Sequence, residues 1–359
     1  MSERKKLFFC TRVLLAANSR IKMISRNIYN NMLTTFHIPA DSRITAFPIA
    51  RHEIFALWEK AVSVHWVPKQ LKFNEDAAHF AQLAPDRQRL IKQSLAFFAS
   101  LDTLVNANIL ERFAQEFHIP EVDMFFAQQV HIEYVHSITY SMLINVYAPS
   151  DAERKELLDA VMTNPAVRRV ADFVRKCISS EESLGCRLFR MACIEGVLFA
   201  RVFAIIYFVT DGGELPGLRE SNALIAKDEN FHMIGGAVIH NTILPAEMQV
   251  TAAEASAVCH EVMEIADELS EDALPAPIHG MKAEHLREYT ENQSNLVLEY
   301  FKLKPIYGAT NPFEFMDKLN LETRTNFFEV QETNYSAVHD NNYAPEGMVG
   351  QAFVPLDDF

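Results

Sequence analysis

The chain has 359 residues, 49% of them apolar, and a net charge of −14. That length and apolar content allow a large buried core, and the acidic balance argues against a nucleic-acid surface, where a basic face is expected. No run of eighteen uncharged apolar residues is present, so no membrane-spanning helix is predicted.

Only 11 residues are glycine, and long stretches repeat their apolar positions with a 3.6-residue period, which predicts an all-α protein. Residues 1–45 form a basic arm, with seven Lys/Arg and one acid, Glu3, in the first forty positions. The arm reads as flexible; an organellar presequence, or a true start at Met23 or Met32, is the alternative. The main domain is predicted over 46–329. Its first helical pattern runs from Arg51 to about Trp66, and Pro68 marks a loop. Pro85-Asp86 opens a long helix to about Glu116, with Pro85 in the first turn. Ile119-Pro120 breaks it, and the next helix runs from Glu121 to Tyr147. Shorter helices fill 151–180, and Ser150 is placed to cap the first of them. A strongly apolar helix covers Glu182–Thr210 and ends at Asp211-Gly212-Gly213. Further helices are predicted over Leu218–Asn241, Pro245–Glu268 and Met281–Phe301. After Phe327-Phe328-Glu329 the periodicity stops, and residues 330–359 read as a flexible polar tail that turns apolar again at Phe353–Phe359. No linker divides the main domain. Cys10, Cys177, Cys186, Cys193 and Cys259 show no zinc-type spacing, which fits a reducing, cytoplasmic compartment.

Two Glu-x-x-His pairs, Glu133/His136 and Glu229/His232, carry the chemistry. Of thirteen histidines, these two alone have a Glu three residues earlier. On a helix, residues three apart share a face and lie about 4.5 Å apart along the axis. Each pair therefore offers a carboxylate and an imidazole to one point. Two more helices each carry a single acid in an apolar run: Asp102 after Phe97-Phe98-Ala99-Ser100-Leu101, and Glu195 between Cys193-Ile194 and Gly196-Val197-Leu198-Phe199. Burying an unpaired carboxylate is costly, and metal ligation removes that cost. Two Glu-x-x-His pairs plus one acid from each of two other helices is the ligand pattern of a ferritin-like bundle. Carboxylate-rich, sulfur-free ligation suits iron or manganese, and two divalent ions neutralise four carboxylates. Asp228 is placed to accept the second N–H of a ligating histidine. Tyr140 follows His136 by one helical turn, and Phe199, Phe203 and Ile225 are spaced to face inward. A phenol in such an apolar pocket, beside a metal pair that activates dioxygen, can lose an electron and a proton and persist as a radical.

With these residues in hand, the chain resembles the small, radical-generating subunit of class I ribonucleotide reductase, in its eukaryotic and viral branch. The segments that carry the likeness are FPIARHEIFALWEKA, LAFFASLDTLVNANILERF, EYVHSITYSMLI, IEGVLFARVF, LPGLRESNALIAKDENFH, NPFEFMD and TNFFE. The resemblance implies a ferritin-like fold and a di-iron centre held by Asp102, Glu133, His136, Glu195, Glu229 and His232. It implies a dioxygen-generated radical on Tyr140 within the pocket of Phe199, Phe203 and Ile225. Trp66 would pass an electron to the centre, with Asp228 linking it to His136. Tyr335, with Tyr343 as rival, would relay the radical, and the end Phe353–Phe359 would dock on a large subunit. A homodimer is implied too. Manganese is the less favoured metal. Departures from the family pattern are Lys227, Ile138 and Arg201, and the charge of Arg201 is expected to point away from the radical pocket. Two rivals fit the ligands alone: a ferritin-like two-electron oxidase, and a regulatory paralogue without radical activity.

Overall fold

The structure, a computed structural model, describes residues 43, 45–159, 163–210, 212–273 and 281–316. Nearly all of the 1–45 arm, the Phe327-Phe328-Glu329 motif, Tyr335, Tyr343 and Phe353–Phe359 lie outside the described residues. The regular elements among the described residues are helices, with no strand among them. In chain order the helices are α1 (His52–Ser63), α2 (Asp76–Gln82) and α3 (Pro85–Asn108), which continues through a π turn (Ile109–Phe113) into Ala114–Glu116. Then come α4 (Pro120–Tyr147), α5 (Asp151–Leu158), α6 (Pro165–Ser179) and α7, one helix over Leu184–Val209 whose middle, Ile194–Phe199, is π-wound. The last are α8 (Pro216–Ile243), α9 (Ala252–Glu268, ending in a π turn) and α10 (Ala283–Tyr300).

Sequence punctuation explains most boundaries. Pro85 and Pro120 each sit in the first turn of their helix, where a missing N–H costs nothing. Ser150 caps α5 by accepting from the Glu153 N–H, as expected. Two expectations need correction. The first helix ends at Ser63 rather than near Trp66, so Trp66 lies in a loop. Pro68 disfavours helical backbone at the residue before it, and β-branched Val62, Val64 and Val67 weaken the last turn. The ninth helix starts at Ala252 rather than Pro245, because Thr251 and Glu254 form a reciprocal capping box.

Helices α3, α4, α7 and α8 form the central bundle. The closest pairings are α3 with α4 and α7 with α8; α1 covers α4 and α8, α6 packs on α3, and α10 packs on α7. Phe97, Phe98, Phe125, Phe199 and Phe203 fill its interior, each at most 2% exposed. Burying one such side chain stabilises the fold by roughly 1.5–3 kcal/mol. Helix α7 is long and apolar enough to cross a membrane by length and composition only, yet 89% of its most apolar window is buried inside the protein, the pattern of a core helix. Two glycines set how closely α7 and α4 approach α8. A Cβ on Gly196 would lie 2.8 Å from Met233 Cγ, and one on Gly235 would lie 2.0 Å from Phe125 Cζ. Any side chain at these positions would push α7 or α4 off α8.

The start of α8 depends on a distant residue. The buried Asp76 carboxylate accepts from the N–H groups of Gly217 and Leu218 at 2.9 and 2.8 Å, and from the Tyr147 hydroxyl at 2.7 Å. It caps α8 and ties α2 and α4 to it. Asp76→Ala leaves three buried donors unpaired, so a loss of about 3–5 kcal/mol is expected in a denaturant titration.

Candidate dimetal centre

The six predicted ligands converge. Asp102 comes from α3, Glu133 and His136 from α4, Glu195 from the π turn of α7, and Glu229 and His232 from α8, and none is more than 5% exposed. Their atoms fall into two sets: Asp102, Glu133, His136 and Glu229, then Glu133, Glu195, Glu229 and His232, with one donor atom per residue lying within 4.8 Å of the others in each set. Glu133 and Glu229 belong to both. Glu133 places Oε2 3.3 Å from His136 Nδ1 and Oε1 3.1 Å from His232 Nδ1. Glu229 places Oε1 3.0 Å from His136 Nδ1 and Oε2 3.5 Å from His232 Nδ1. Each shared carboxylate thus turns one oxygen to each imidazole, as a bridge between two ions would. Asp102 and Glu195 close the two ends.

The residues fit a metal pair. Both Asp102 oxygens, both Glu229 oxygens, Glu133 Oε1 and His232 Nδ1 are buried without a hydrogen-bond partner. So many orphaned polar atoms in a dry core would each cost about 1–3 kcal/mol, and cations among them remove that cost. Without an ion, protons take its place. Burial, reinforced by the neighbouring carboxylates, raises the pKa of Asp102 and Glu195 well above the usual carboxylate range. Burial opposes charge on Glu133 too, but the two close imidazoles prevail and hold it at about 2. Burial opposes charge on His136 and His232, yet Asp228, Glu133 and Glu229 around the first, and Glu133 and Glu229 around the second, raise both well above 6.5.

These protons make stability depend on pH. A raised folded-state pKa gives stability that is present below the unfolded value and lost as pH rises through the folded one. For the histidines that loss begins above 6.5. Asp102 and Glu195 act in the same direction from lower pH, because the unfolded chain ionises them first. Metal loading must expel these protons. The metal-free chain should therefore melt at progressively lower temperature as pH rises above 6.5, while the stabilisation by metal grows. Parallel melting scans of metal-free and loaded protein, with an indicator dye counting protons released on loading, check both.

Around the centre, Asp228 Oδ2 accepts from Trp66 Nε1 at 2.8 Å and lies 3.0 Å from His136 Nε2. This fixes Nε2 as the protonated nitrogen and leaves Nδ1 for a metal. The Trp66 ring also stacks on His136, 5.9 Å between centroids. Tyr140 is 3% exposed, and its hydroxyl has no hydrogen-bond partner. Burial, then the charge of Asp102, pushes the phenol pKa far above its usual value. Phe199, Phe203 and Ile225 are all buried, Ile225 one turn before Glu229. Arg201 is buried, but it turns to α9 and α10, donating to the Leu286 carbonyl, Thr290 Oγ1 and Ser270 Oγ, so its charge leaves the pocket as expected. Ile138 is 53% exposed and turns away from the site.

Two site residues escape the sequence reading. The Phe98 ring lies face to face with Tyr140, 5.1 Å between centroids and 5° from parallel, and stacks on Phe203 at 4.6 Å. Phe199 meets Phe98 edge-on. Phe98, four residues before Asp102, is therefore the wall that the phenol touches, with Phe199 and Phe203 behind it. Gln129, four residues before Glu133, donates to Glu195 Oε1 at 2.8 Å and fixes that carboxylate.

The fold defines a protein of the ferritin-like helical class, with a buried carboxylate and imidazole cluster arranged to hold two metal ions. Residues 43–312 match the family described as "Ribonucleotide reductase, small chain". The chain is 34% identical over 313 residues to the ribonucleoside-diphosphate reductase small chain of vaccinia virus (strain Ankara), covering 85% of this chain and 97% of that one. It is 33% identical over 296 residues to ribonucleoside-diphosphate reductase subunit M2 of Mesocricetus auratus, covering 82% and 75%. The solved ribonucleotide reductase Rnr4 homodimer of Saccharomyces cerevisiae superposes with a TM-score of 0.72 at 26% identity, covering 89% of this chain and 99% of that one. The chain belongs to the ribonucleotide reductase small-chain family, and is an oxidoreductase subunit.

Proposed function

We propose that this chain binds two iron ions between the six ligands, generates a radical on Tyr140 and delivers its oxidising power to a separate large subunit, where ribonucleotides are reduced. The supporting observation is the juxtaposition of a shared-carboxylate ligand cluster with a buried, unbonded phenol walled by aromatic rings. With dioxygen, iron bound there would supply the oxidising power to take an electron from a phenol. The protein's part is to shape that event. The raised pKa keeps Tyr140 protonated at neutral pH, so its electron and its proton must leave together. Burial of Tyr140 against the Phe98 ring keeps water from the phenol, which prolongs a radical there.

Trp66, Asp228 and His136 form a bonded path from the loop after α1 to a ligand. It serves first to bring in an electron, then to carry oxidising equivalents outward to Tyr335. The tail end Phe353–Phe359 docks on the large subunit. The active form is a homodimer, the assembly named for the yeast Rnr4 structure. The four described cysteines are free and buried, which supports a cytoplasmic setting.

The test is aerobic reconstitution with ferrous ion, followed by metal analysis and EPR. Two iron ions per chain with a tyrosyl signal are expected. Iron uptake without a radical would instead mark a regulatory paralogue, and a peptide of residues 353–359 that leaves turnover with the large subunit undiminished would remove the docking role.

A further inference from the structure

We propose that His65 and His131 form a capture site for a divalent metal ion at the mouth of the path into the dimetal centre; this rests on the proposed function of that centre as an iron site. His65 lies in the loop before Trp66, and His131 projects from α4 two residues before Glu133. Their rings meet with centroids 4.9 Å apart and planes 34° from parallel. His131 is exposed and His65 half-buried, yet His65 Nδ1 is buried and has no hydrogen-bond partner. A buried imidazole nitrogen without a partner is an unused lone pair or donor, and neutral imidazole is the commonest metal ligand.

The location gives the pair its purpose. One crevice is lined both by His65 and by the ligand His232, with Gln129, Phe231 and Asp228 also on its walls. Its volume is about 20 Å³, room for a single water or ion. Asp228 puts a carboxylate on it, so its field favours cations, as does the chain's charge of −14. On the α3 side of the centre the rings of Phe98, Phe199 and Phe203 pack against one another. Two imidazoles bind a hard divalent ion more weakly than four carboxylates and two imidazoles do. An ion held first at His65 and His131 therefore loses part of its hydration at the surface and moves inward down a gradient of affinity. Neither histidine belongs to the six ligands, so the site stays available after the centre is filled.

Uptake of ferrous ion supplied below stoichiometry, followed anaerobically by a chelator challenge, reads this step without reference to turnover. The His65→Phe/His131→Ala variant should reach the same final iron content, but load about tenfold more slowly, the lower end of what local ion enrichment does to an on-rate. Loading at the unsubstituted rate overturns the proposal. An unsubstituted chain that takes up no iron at its core overturns the proposed function and this site with it, whereas normal final loading at an unchanged rate overturns this site alone. Because the double variant can perturb the Trp66 loop, the exposed His131→Ala change is read separately with cupric ion. Iron-loaded protein should bind one additional Cu²⁺ per chain with imidazole-nitrogen hyperfine structure, and His131→Ala should lose it. If no nitrogen-ligated copper is lost in that variant, the site does not exist.

Discussion

Tyr140→Phe is expected to leave the fold and metal content unchanged while abolishing the tyrosyl EPR signal. Turnover with the large subunit should fall to below about a thousandth of its starting value, the scale seen when one member of an interdependent catalytic unit is removed. The substitution is clean for structural reasons. The hydroxyl makes no hydrogen bond, so its removal leaves no partner orphaned. The ring keeps its shape, and its stacking on Phe98 at 5.1 Å is retained. A change in stability of less than about 1 kcal/mol is anticipated, since deleting an unpartnered buried hydroxyl relieves a desolvation cost and opens little space. Loss of the radical with intact iron therefore assigns the oxidised group. Retention of both signal and turnover would move the radical elsewhere. Tyr147 is a poor substitute, because its hydroxyl is committed to Asp76 at 2.7 Å.

Features of the centre that obey helical periodicity were legible in the sequence. Glu133/His136 and Glu229/His232 could be paired because α4 and α8 run unbroken through them, so three residues apart means one face. Asp102 and Glu195 stood out because acids seldom occur in apolar runs unless something compensates their charge. Other features were hidden for identifiable reasons. The π turn at Ile194–Phe199 changes the angle per residue around Glu195, and no local residue type announces it. Phe98 and Gln129 each sit one turn before a ligand, so the same spacing rule reaches them. A phenylalanine in an apolar run and a glutamine in a long helix carry no chemical signal of their own, however. Asp76 caps α8 from about 140 residues away, a contact that only the assembled bundle brings about. Asp228's place beside Glu229 suggests its bond to a ligating histidine, but its link to Trp66 rests on family likeness alone, since Trp66 lies in a distant loop; the structure supplies both bonds.

The shared position of Glu133 separates a true dimetal centre from two independent sites, and the isosteric changes Glu133→Gln and Asp102→Asn test it. Asp102 serves one ligand set only, whereas Glu133 serves both. Asp102→Asn is expected to lose the ion on the His136 side and to keep the one held by Glu195 and His232. Glu133→Gln should weaken both ions by at least about 100-fold, beyond the 10–100-fold typical of an outer-shell change, because one neutral amide replaces a charge that two cations share. Metal analysis after dialysis against a graded series of chelators reads the two stoichiometries separately. Neither amide adds volume, so packing against the α3–α4 and α4–α8 contacts is preserved and unfolding does not explain the result. The outcome that would sink the bridging assignment is Glu133→Gln keeping one ion as firmly as Asp102→Asn does. In that case the two oxygens at 3.3 and 3.1 Å from the two imidazoles would be serving a single ion, and the shared electrostatics that tie ligand cluster to radical would have to be redrawn.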